Sequence, residues 1–279
     1  MRVYPECYDC LRRLIYQAAR LATNDKLLRQ KAVEKATNVL DREFSSEQIS
    51  IAIATKIHEI IQKTTGNPDP YQAVKKNELA VAGELFSKVK GHYKATINDY
   101  IKLAAVANAI DFFRSLDDVA EDIKKPAEFA IDDSQRFEAE LKKASKVLYL
   151  ADNVGEIYFD LPLVKKMRQL VDVKYVVKPS PVQNDATVED VKETGLEGDF
   201  GAVITTGMAS PGVILDLASN QFRQEFKTAD LIFAKGMGHY ESLSELPKEG
   251  KMFYCLMAKC TPVASSLRVP LNSYVAMLR

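Results

Sequence analysis

Tryptophan is absent from this chain of 279 residues, and histidine is scarce, with only three residues, His58, His92 and His239. These histidines are too few and too far apart in sequence to supply a histidine-based metal site or a Ser-His-Asp triad. The Gly-x-Ser-x-Gly motif, which presents the nucleophile of many serine hydrolases, is also missing. The sequence therefore argues against serine-hydrolase chemistry.

Neither sign of charge is in excess, because Lys plus Arg and Asp plus Glu both number 38. A nucleic-acid-binding domain usually has a basic surplus, so we expect no nucleic-acid partner. The apolar runs are too short to cross a bilayer, and the segment from Met1 to Pro5 does not resemble the start of a signal peptide. We therefore expect a cytoplasmic protein with no membrane partner.

Cysteine is also too rare for a disulfide framework in a chain of this length, with four residues, Cys7, Cys10, Cys255 and Cys260. In a reducing cytosol they would remain thiols or bind a metal. A four-thiolate zinc site is one possibility. Cys255 lies within an apolar run, however, which favours a buried thiol instead.

Two patterns of apolar residues divide the chain. Helical spacing extends from residue 1 to about 125, and short apolar runs alternate with helical stretches from residue 137 onward. In the first part, Ser45 and Asp69 stand where helix N-caps are expected. The change of pattern predicts an N-terminal all-helical domain over residues 1–130 and an α/β domain over residues 131–279.

Five short apolar runs in the second part predict the strands of a mainly parallel sheet. They are continuous, as is typical of parallel strands that are buried on both faces, and cover residues 147–151, 175–177, 202–204, 231–233 and 253–258. Ligands of such sheets bind outside the carboxyl ends of the strands. We therefore expect one cleft to collect the polar residues that follow these runs, namely Asp152, Asn153, Lys178, Asp185, Thr205, Thr206 and Lys235.

Asp152, Asn153 and Asp185 are the candidate metal ligands. Two carboxylates and a carboxamide supply the oxygen atoms that a divalent cation such as Mg²⁺ or Mn²⁺ prefers. For each residue alone, capping of the following helix is the simpler interpretation. Their position at the ends of neighbouring strands favours the metal site.

Other polar residues are candidates for contacts with an anionic substrate. Lys235 precedes a glycine-rich segment that suits a phosphate, although a glycine turn with a solvated lysine explains it equally well. The segment Thr205, Thr206 and Gly207 offers hydroxyl and N–H donors, or forms a simple turn. Asn108 and Asp111 interrupt an apolar helix predicted over residues 103–113, where they either reach the cleft or form a solvent-facing stripe.

Several short motifs, taken in order, resemble the DUF89 family, also known as ARMT1-like damage-control phosphatases, in its branch with an N-terminal Cys-x-x-Cys. The resemblance covers nearly the whole chain. It rests on the motifs at 5–10, 66–71, 107–111, 152–156, 184–185, 205–207, 235–241 and 259–260. Two positions depart from the usual pattern, since Ala107 replaces a glycine and His239 replaces an asparagine.

The resemblance implies a Rossmann-like three-layer α/β/α domain with a mainly parallel sheet, preceded by a helical domain. It also implies a phosphatase that acts on small phosphometabolites, such as sugar phosphates or damaged phosphorylated intermediates, with Mn²⁺, Ni²⁺, Co²⁺ or Mg²⁺. The metal would be held by Asp152, Asn153 and Asp185, and the phosphate by Lys235. The last of the longer motifs adds Glu241 to the candidate substrate-binding residues.

We expect a metal-activated water to attack phosphorus, with the N–H groups of Thr206 and Gly207 helping Lys235 to hold the phosphoryl group. Attack by Asp152 itself, forming an aspartyl-phosphate, is the less favoured route. A carboxyl methyltransferase that uses S-adenosylmethionine, also suggested for the family, is an alternative, but the first strand-to-helix turn has a single glycine, Gly155. A non-enzymatic metal- or metabolite-binding regulator is another. The oligomeric state is not predicted.

Overall fold

The structure, a computed structural model, describes residues 1–108, 110, 116–125, 127–247 and 249–279. The predicted site residue Asp111 lies outside the described residues. The helices of the N-terminal part are α1 (Pro5–Ala22), α2 (Lys26–Glu43), α3 (Ser50–Thr65), α4 (Gln72–Val89), α5 (Ile97–Ala107) and α6 (Leu116–Lys124), with a 3₁₀ turn at Lys90–His92. Within these described residues no helix is both long and apolar enough to cross a membrane.

The second part contains strands that alternate with helices. The strands are β1 (Phe129–Asp132), β2 (Lys146–Leu150), β3 (Asp172–Val177), β4 (Ala202–Thr205), β5 (Leu231–Lys235), β6 (Met252–Met257) and β7 (Tyr274–Leu278). The helices are α7 (Ser134–Leu141), α8 (Ile157–Met167), α9 (Val188–Glu193), α10 (Glu197–Phe200), α11 (Asn220–Thr228), α12 (Gly236–Leu243) and α13 (Thr261–Leu267), with a 3₁₀ turn at Val154–Glu156.

The strands form one seven-stranded sheet in the order β1-β7-β6-β5-β2-β3-β4. Strands β2 to β6 are mutually parallel, whereas β7 is antiparallel to β6 and parallel to β1. The predicted mainly parallel α/β sheet is therefore confirmed. All five predicted strands are present as β2 to β6, and β1 and β7 extend the sheet at one edge.

Both faces of the sheet are buried, which explains why its strands are continuously apolar. Along β2, Val147 and Tyr149 pack against α5, α7 and α8, while Leu148 and Leu150 pack against α11, α12 and α13. Helices on both faces of a mostly parallel sheet make the three-layer arrangement that the family resemblance implies.

The first three helices pack around their own apolar core, which includes Leu11, Ile15, Leu40, Ile53 and Ile57. The helix α5 instead shares the core of the sheet, and β1 spans the predicted domain boundary at residue 130. The division of the chain at that residue stays a prediction.

Two predicted helix starts in the N-terminal part are wrong by a few residues. The helix α3 begins at Ser50 rather than just after Ser45, because Ile49 first pairs with Arg2 in an isolated β-bridge. The helix α4 begins at Gln72, since Asp69 caps the preceding turn by accepting a hydrogen bond from the Tyr71 N–H at 3.1 Å.

Candidate functional site

The candidate site lies where the order of the strands reverses. From β2 the chain continues to β3 and β4 on one side, and β5 and β6 lie on the other side. Parallel sheets leave a crevice at the carboxyl ends of the strands at such a switch point. Asp152 and Asn153 follow β2 directly, and Lys235 is the last residue of β5. A cleft of about 530 Å³ opens above them.

The loop after β3 brings Asp185 to the same place. Residues Asn153 and Asp185 form an isolated antiparallel bridge. On either side of it, the Ala186 N–H donates to the Asp152 carbonyl oxygen and the Val154 N–H donates to the Asn184 carbonyl oxygen, both at 2.8 Å. The three predicted metal ligands therefore line one cleft.

Two carboxamides arrange the acidic groups at the bottom of the cleft. The Nδ2 of Asn108 donates to Asp152 Oδ2 at 2.8 Å and to Glu156 Oε1 at 2.9 Å. The Nδ2 of Asn153 donates to the same two oxygens, at 3.0 and 2.7 Å respectively. Asp152 and Glu156 are thus held side by side by donors that bridge them.

A close backbone approach fixes the position of the Asp152 carboxylate. Gly236 has φ of 75°, and a Cβ atom built on it would lie 1.9 Å from Asp152 Oδ2. Only glycine fits here, because the positive φ and the short distance both exclude a side chain. The glycine after Lys235 is therefore needed for packing against the acidic group.

Burial makes two carboxyl groups of the cleft weaker acids than usual. Burial and the negative charges of Glu156 and Asp185 raise the pKa of Asp152 well above its ordinary value. Burial also raises the pKa of Asp185 to about 6, although Lys178 opposes the shift. Asp185 Oδ1 is buried without a hydrogen-bond partner among the described residues, and Lys178 Nζ lies 3.6 Å from it.

The simpler interpretation, that Asp185 caps the next helix, does not hold. Thr187 is the N-cap of α9, where its hydroxyl accepts a hydrogen bond from the Asp190 N–H. The carboxylate of Asp185 therefore has no structural task in α9. It remains available to a ligand in the cleft.

The described residues contain no group of three or more His, Cys, Asp and Glu side chains placed to hold a metal ion. The candidate metal set has two carboxylates, so its third oxygen has to come from the carboxamide of Asn153. Asp185 Oδ1, buried without a partner, and the carboxylate of Asp152, enclosed by Gly236, both fit the needs of a cation ligand.

Lys235 lies beneath the cleft rather than in its lining. Its ammonium group pairs with Glu156 Oε2 at 2.5 Å and with Asp160 Oδ1 at 2.8 Å, and Asp160 also accepts hydrogen bonds from Tyr149 and Tyr175. We call these five residues the buried ion network. Burial disfavours the charge on Lys235, but Asp160 and Glu156 outweigh it and raise its pKa above the ordinary value. Lys235 also lowers the pKa of Glu156, against the effect of burial.

Lys259 is an exposed cation that lines the cleft, as is Arg13 on α1. Lys259 follows β6 and donates a hydrogen bond from Nζ to the carbonyl oxygen of Asn108. Its charge lowers the pKa of both Asp152 and Glu156, though other effects are larger. Lys259 is not among the predicted site residues, although it belongs to one of the motifs shared with the family.

The segment Thr205 to Gly207 forms a turn outside the cleft lining. The Thr206 hydroxyl donates to the Met208 carbonyl oxygen at 2.9 Å, and its N–H donates to the Val177 carbonyl oxygen at 3.1 Å. A Cβ on Gly207 would lie 2.3 Å from the Cβ of Ser219. The turn interpretation explains these contacts, and a phosphate-binding role for the segment stays a prediction.

Asn108 and Glu241 both reach the cleft. The helix α5 ends at Ala107, and residues 109 and 111–113 of the helix predicted over 103–113 lie outside the described residues. Asn108 is buried rather than part of a solvent-facing stripe. Glu241 accepts a hydrogen bond from the Ser50 hydroxyl, which ties α3 to α12. Burial raises the pKa of Glu241.

The imidazole that replaces the usual asparagine does not line the cleft. His239 is buried, its Nδ1 lies 2.7 Å from the Lys235 carbonyl oxygen, and its Nε2 lies 3.5 Å from Lys178 Nζ. Since a carbonyl oxygen can only accept, Nδ1 carries the proton. Burial and the charge of Lys178 lower the pKa of His239 to about 3. The neutral ring therefore packs beside Lys178 without adding a second positive charge.

The four thiols do not come together. Cys7, Cys10 and Cys260 line the cleft, whereas Cys255 is buried in β6, with Sγ 3.8 Å from the Ile101 carbonyl oxygen. Burial raises the pKa of Cys255 to about 12. The structure thus supports the interpretation of Cys255 as a buried thiol and gives no four-thiolate site.

Known proteins of one family match this chain over nearly its whole length. The model of the damage-control phosphatase ARMT1-like domain matches residues 3–275. A protein of Pyrococcus horikoshii described as a damage-control phosphatase is 36% identical over 283 residues, which cover 99% of this chain and 98% of the relative. One of Archaeoglobus fulgidus with the same description is 31% identical over 287 residues, with 99% of each chain covered. The crystal structure of a DUF89 family protein from Pyrococcus horikoshii matches with a TM-score of 0.93 at 36% identity, covering 100% of this chain and 99% of that one.

Proposed function

Since this chain belongs to the family of ARMT1-like damage-control phosphatases, we propose that it hydrolyses small phosphorylated metabolites with a divalent metal ion held by Asp152, Asn153 and Asp185. The observation that carries the metal assignment is the presence of these three residues in the lining of one cleft at the switch point of the sheet, where Asp185 Oδ1 is buried without a hydrogen bond from the described residues and Lys178 Nζ lies 3.6 Å away. Buried polar atoms are nearly always satisfied, so such an atom in a cleft indicates a ligand.

The charge balance beneath the cleft also supports a cation. Four buried carboxyl groups surround the site, those of Asp152, Glu156, Asp160 and Asp185, and two buried lysines, Lys178 and Lys235, face them. If all six are ionised, four negative and two positive charges leave an excess of two negative charges. A phosphate alone would be repelled by this excess, whereas a divalent ion would neutralise it.

The bound metal would offset charge on the phosphoryl oxygens and make a coordinated water more acidic. Oxygen ligands suit Mn²⁺, Ni²⁺, Co²⁺ and Mg²⁺, and we propose an ion of this group as the cofactor. We favour water over Asp152 as the nucleophile, because Asp152 Oδ2 already accepts hydrogen bonds from Asn108 and Asn153. These contacts suit a fixed ligand better than an attacking group.

We propose that Lys259 takes the role of phosphate ligand in the cleft. Its long side chain is exposed at the cleft and carries the positive charge that a phosphoryl group needs. Lys235, which the family resemblance assigns to the phosphate, would act through the buried ion network instead. Glu241 and Asn108 would bound the space that the substrate occupies.

The opposite wall of the cleft suits the organic part of a small metabolite. It is formed by α1 and α3, through Leu11, Leu14 and Ile51. A volume of about 530 Å³ lies within the range of pockets that bind small molecules. The substrate would thus place its phosphoryl group over the acidic residues and its remaining atoms along α1.

Phosphate release from p-nitrophenyl phosphate and from a panel of sugar phosphates, with each metal in turn, tests the proposal. We expect activity in the wild type with at least one metal, and none in Asp185→Asn. The matched control is Asp172→Asn, exposed at the start of β3, whereas Asp185 lies in the loop that follows the other end of this strand; it should keep wild-type activity. Undiminished turnover by a folded Asp185→Asn variant would reject the site. Metal binding without phosphate release from any compound would instead indicate a metal-binding regulator.

A further inference from the structure

Asn153 differs from the other two proposed metal ligands in one chemical respect. A carboxylate offers an oxygen atom on both sides, whereas a carboxamide ends in one oxygen and one nitrogen of similar size. A divalent cation accepts only the oxygen. The affinity of the site therefore depends on a contact that decides which end of the Asn153 side chain faces the cleft.

The hydrogen bonds of Asn153 determine which end of its carboxamide faces the cleft. Its Nδ2 lies 2.7 Å from Glu156 Oε1 and 3.0 Å from Asp152 Oδ2. The carboxylate of Glu156, paired with the ammonium group of Lys235, only accepts hydrogen bonds, so the NH₂ group of Asn153 has to face its Oε1. Rotating the amide by half a turn would press its oxygen against Glu156, which is repulsive. The oxygen of Asn153 is consequently directed away from the carboxylate of Glu156, and Asn153 is at the same time the N-cap of the 3₁₀ turn Val154–Glu156.

Glu156 is itself held firmly in place. Its Oε2 pairs with Lys235 at 2.5 Å, and its Oε1 also accepts a hydrogen bond from Asn108 at 2.9 Å. The side chain is almost completely buried. It cannot turn away from Asn153 without leaving the ammonium group of Lys235 with a single carboxylate.

We propose that Glu156 is a positioning residue, which sets the orientation of the Asn153 carboxamide and so presents its oxygen to the metal. This inference rests on the proposed metal site. Residues of this kind, which contact a ligand rather than the metal, typically change metal affinity by about 10- to 100-fold when they are replaced. Lys235 then contributes to metal binding by holding Glu156.

The test is calorimetric titration of the purified protein with Mn²⁺, comparing two variants that each remove one carboxylate from Lys235. Glu156→Gln also loses the fixed acceptor for Asn153, since an amide can turn either way, and should weaken Mn²⁺ binding by about 10- to 100-fold. Asp160→Asn is the matched control, because Asp160 pairs with Lys235 but does not contact Asn153. Both variants remove one negative charge, so any general loss of charge is shared, and Asp160→Asn should weaken Mn²⁺ binding clearly less than Glu156→Gln, even if its melting temperature falls.

A second pair of variants separates orientation from general support. In an Asn153→Asp background the ligand has an oxygen on both sides, so its orientation no longer matters. Adding Glu156→Gln to this background should leave Mn²⁺ binding unchanged or tighter, because the new amide can donate to the new carboxylate. This pair also provides the measurement if Glu156→Gln alone does not fold.

The outcomes distinguish the two proposals. A wild type that binds none of the divalent metals would overturn the proposed function, and this inference with it. A wild type that binds Mn²⁺ beside an equally tight Glu156→Gln would overturn the positioning role alone. Equal losses in Glu156→Gln and Asp160→Asn, or weaker binding on adding Glu156→Gln to Asn153→Asp, would likewise reject it.

Discussion

Lys235 and Lys259 come from adjacent strands, yet their ammonium groups lie in opposite surroundings. Lys235 belongs to the buried ion network under the cleft, between Glu156 and Asp160. Lys259 lies at the exposed side of the cleft, beside Asn108. A buried charge is tolerated only when it is paired, so the ammonium group of Lys235 stays with its two carboxylates and does not bind the substrate. Lys259 can exchange water for an incoming anion at little cost.

This difference separates the groups that shape the site from those that meet the substrate. Removing a member of the buried ion network should affect folding first, and activity only as a consequence. Removing the lysine at the cleft should affect binding and leave folding intact. The predictions below test this separation, starting with the largest effect.

Replacing Lys235 by methionine should destabilise the protein most. It leaves the buried carboxylates of Glu156 and Asp160 without a cation, and breaking a buried ion pair typically costs about 3–5 kcal/mol. We expect the melting temperature to fall by at least roughly 6 °C. Thermal unfolding followed by circular dichroism measures this. A melting temperature equal to that of the wild type would mean that the network contributes little to stability.

Replacing Gly236 by alanine should damage the site with less effect on the fold. The new Cβ would collide with the Asp152 carboxylate and displace it. A misplacement of about 1 Å can cost on the order of 100-fold in rate, and we expect a loss of that size in kcat/KM. Gly250→Ala is the control, since Gly250 has nearly the same φ, 76°, but no atom within 4 Å of a new Cβ. Equal losses in both variants would point to backbone strain instead.

His58 in α3 is a buried titratable group without the pairing that Lys235 has. Its Nε2 has no hydrogen-bond partner among the described residues, and burial lowers its pKa to about 4. The unfolded chain therefore takes up a proton near pH 6.5, whereas the folded chain takes it up only near pH 4. Above pH 6.5 the histidine is neutral in both states and does not change the free energy of unfolding. As the pH falls from 6.5 towards 4, only the unfolded chain binds the proton, so the free energy of unfolding decreases.

The measurement is urea unfolding of the wild type and of His58→Leu at two pH values. Between about pH 7.5 and 5, the free energy of unfolding should fall by about 2 kcal/mol more in the wild type than in the variant. Parallel falls in both proteins would show that other groups cause the acid sensitivity.

The smallest effect is expected for Lys259→Met. Losing one charge-assisted hydrogen bond to the substrate should raise KM for a phosphorylated substrate by about tenfold. The melting temperature should stay at the wild-type value, unlike that of Lys235→Met. An unchanged KM, or a marked fall in melting temperature, would contradict the difference between the two lysines.

The sheet and the acidic site could be predicted because they depend on local sequence. Strands β2, β3, β5 and β6 are largely buried and therefore read as apolar runs, and the edge strand β4 is apolar although only half-buried. Parallel pairing of β2 and β3 brings the residues that follow them to one edge of the sheet. Asp152, Asn153 and Asp185 meet for this reason. The edge strand β1 escaped prediction because its residues are alternately half-buried and exposed.

The roles of the lysines could not be predicted from their own positions, because both follow strands. The side chain of Lys235 points into the protein because its ammonium group pairs with Glu156 and Asp160. These two residues are four positions apart, with Glu156 just before α8 and Asp160 in its first turn. Two carboxylates at that spacing beside an apolar helix were the available signal. Asn108 and Asp152 are 44 positions apart in the chain, so no local sequence pattern predicts their contact.

The position of β7 has a consequence for how the polypeptide matures. This strand is formed by residues 274–278, yet it lies within the sheet, between β6 and β1, and β1 has β7 as its only neighbour. The segment 129–132 emerges during synthesis long before its partner does. Until translation reaches residue 278, β6 therefore stays an unpaired edge, and nascent chains depend on the segment 274–278 to cover it and to attach β1.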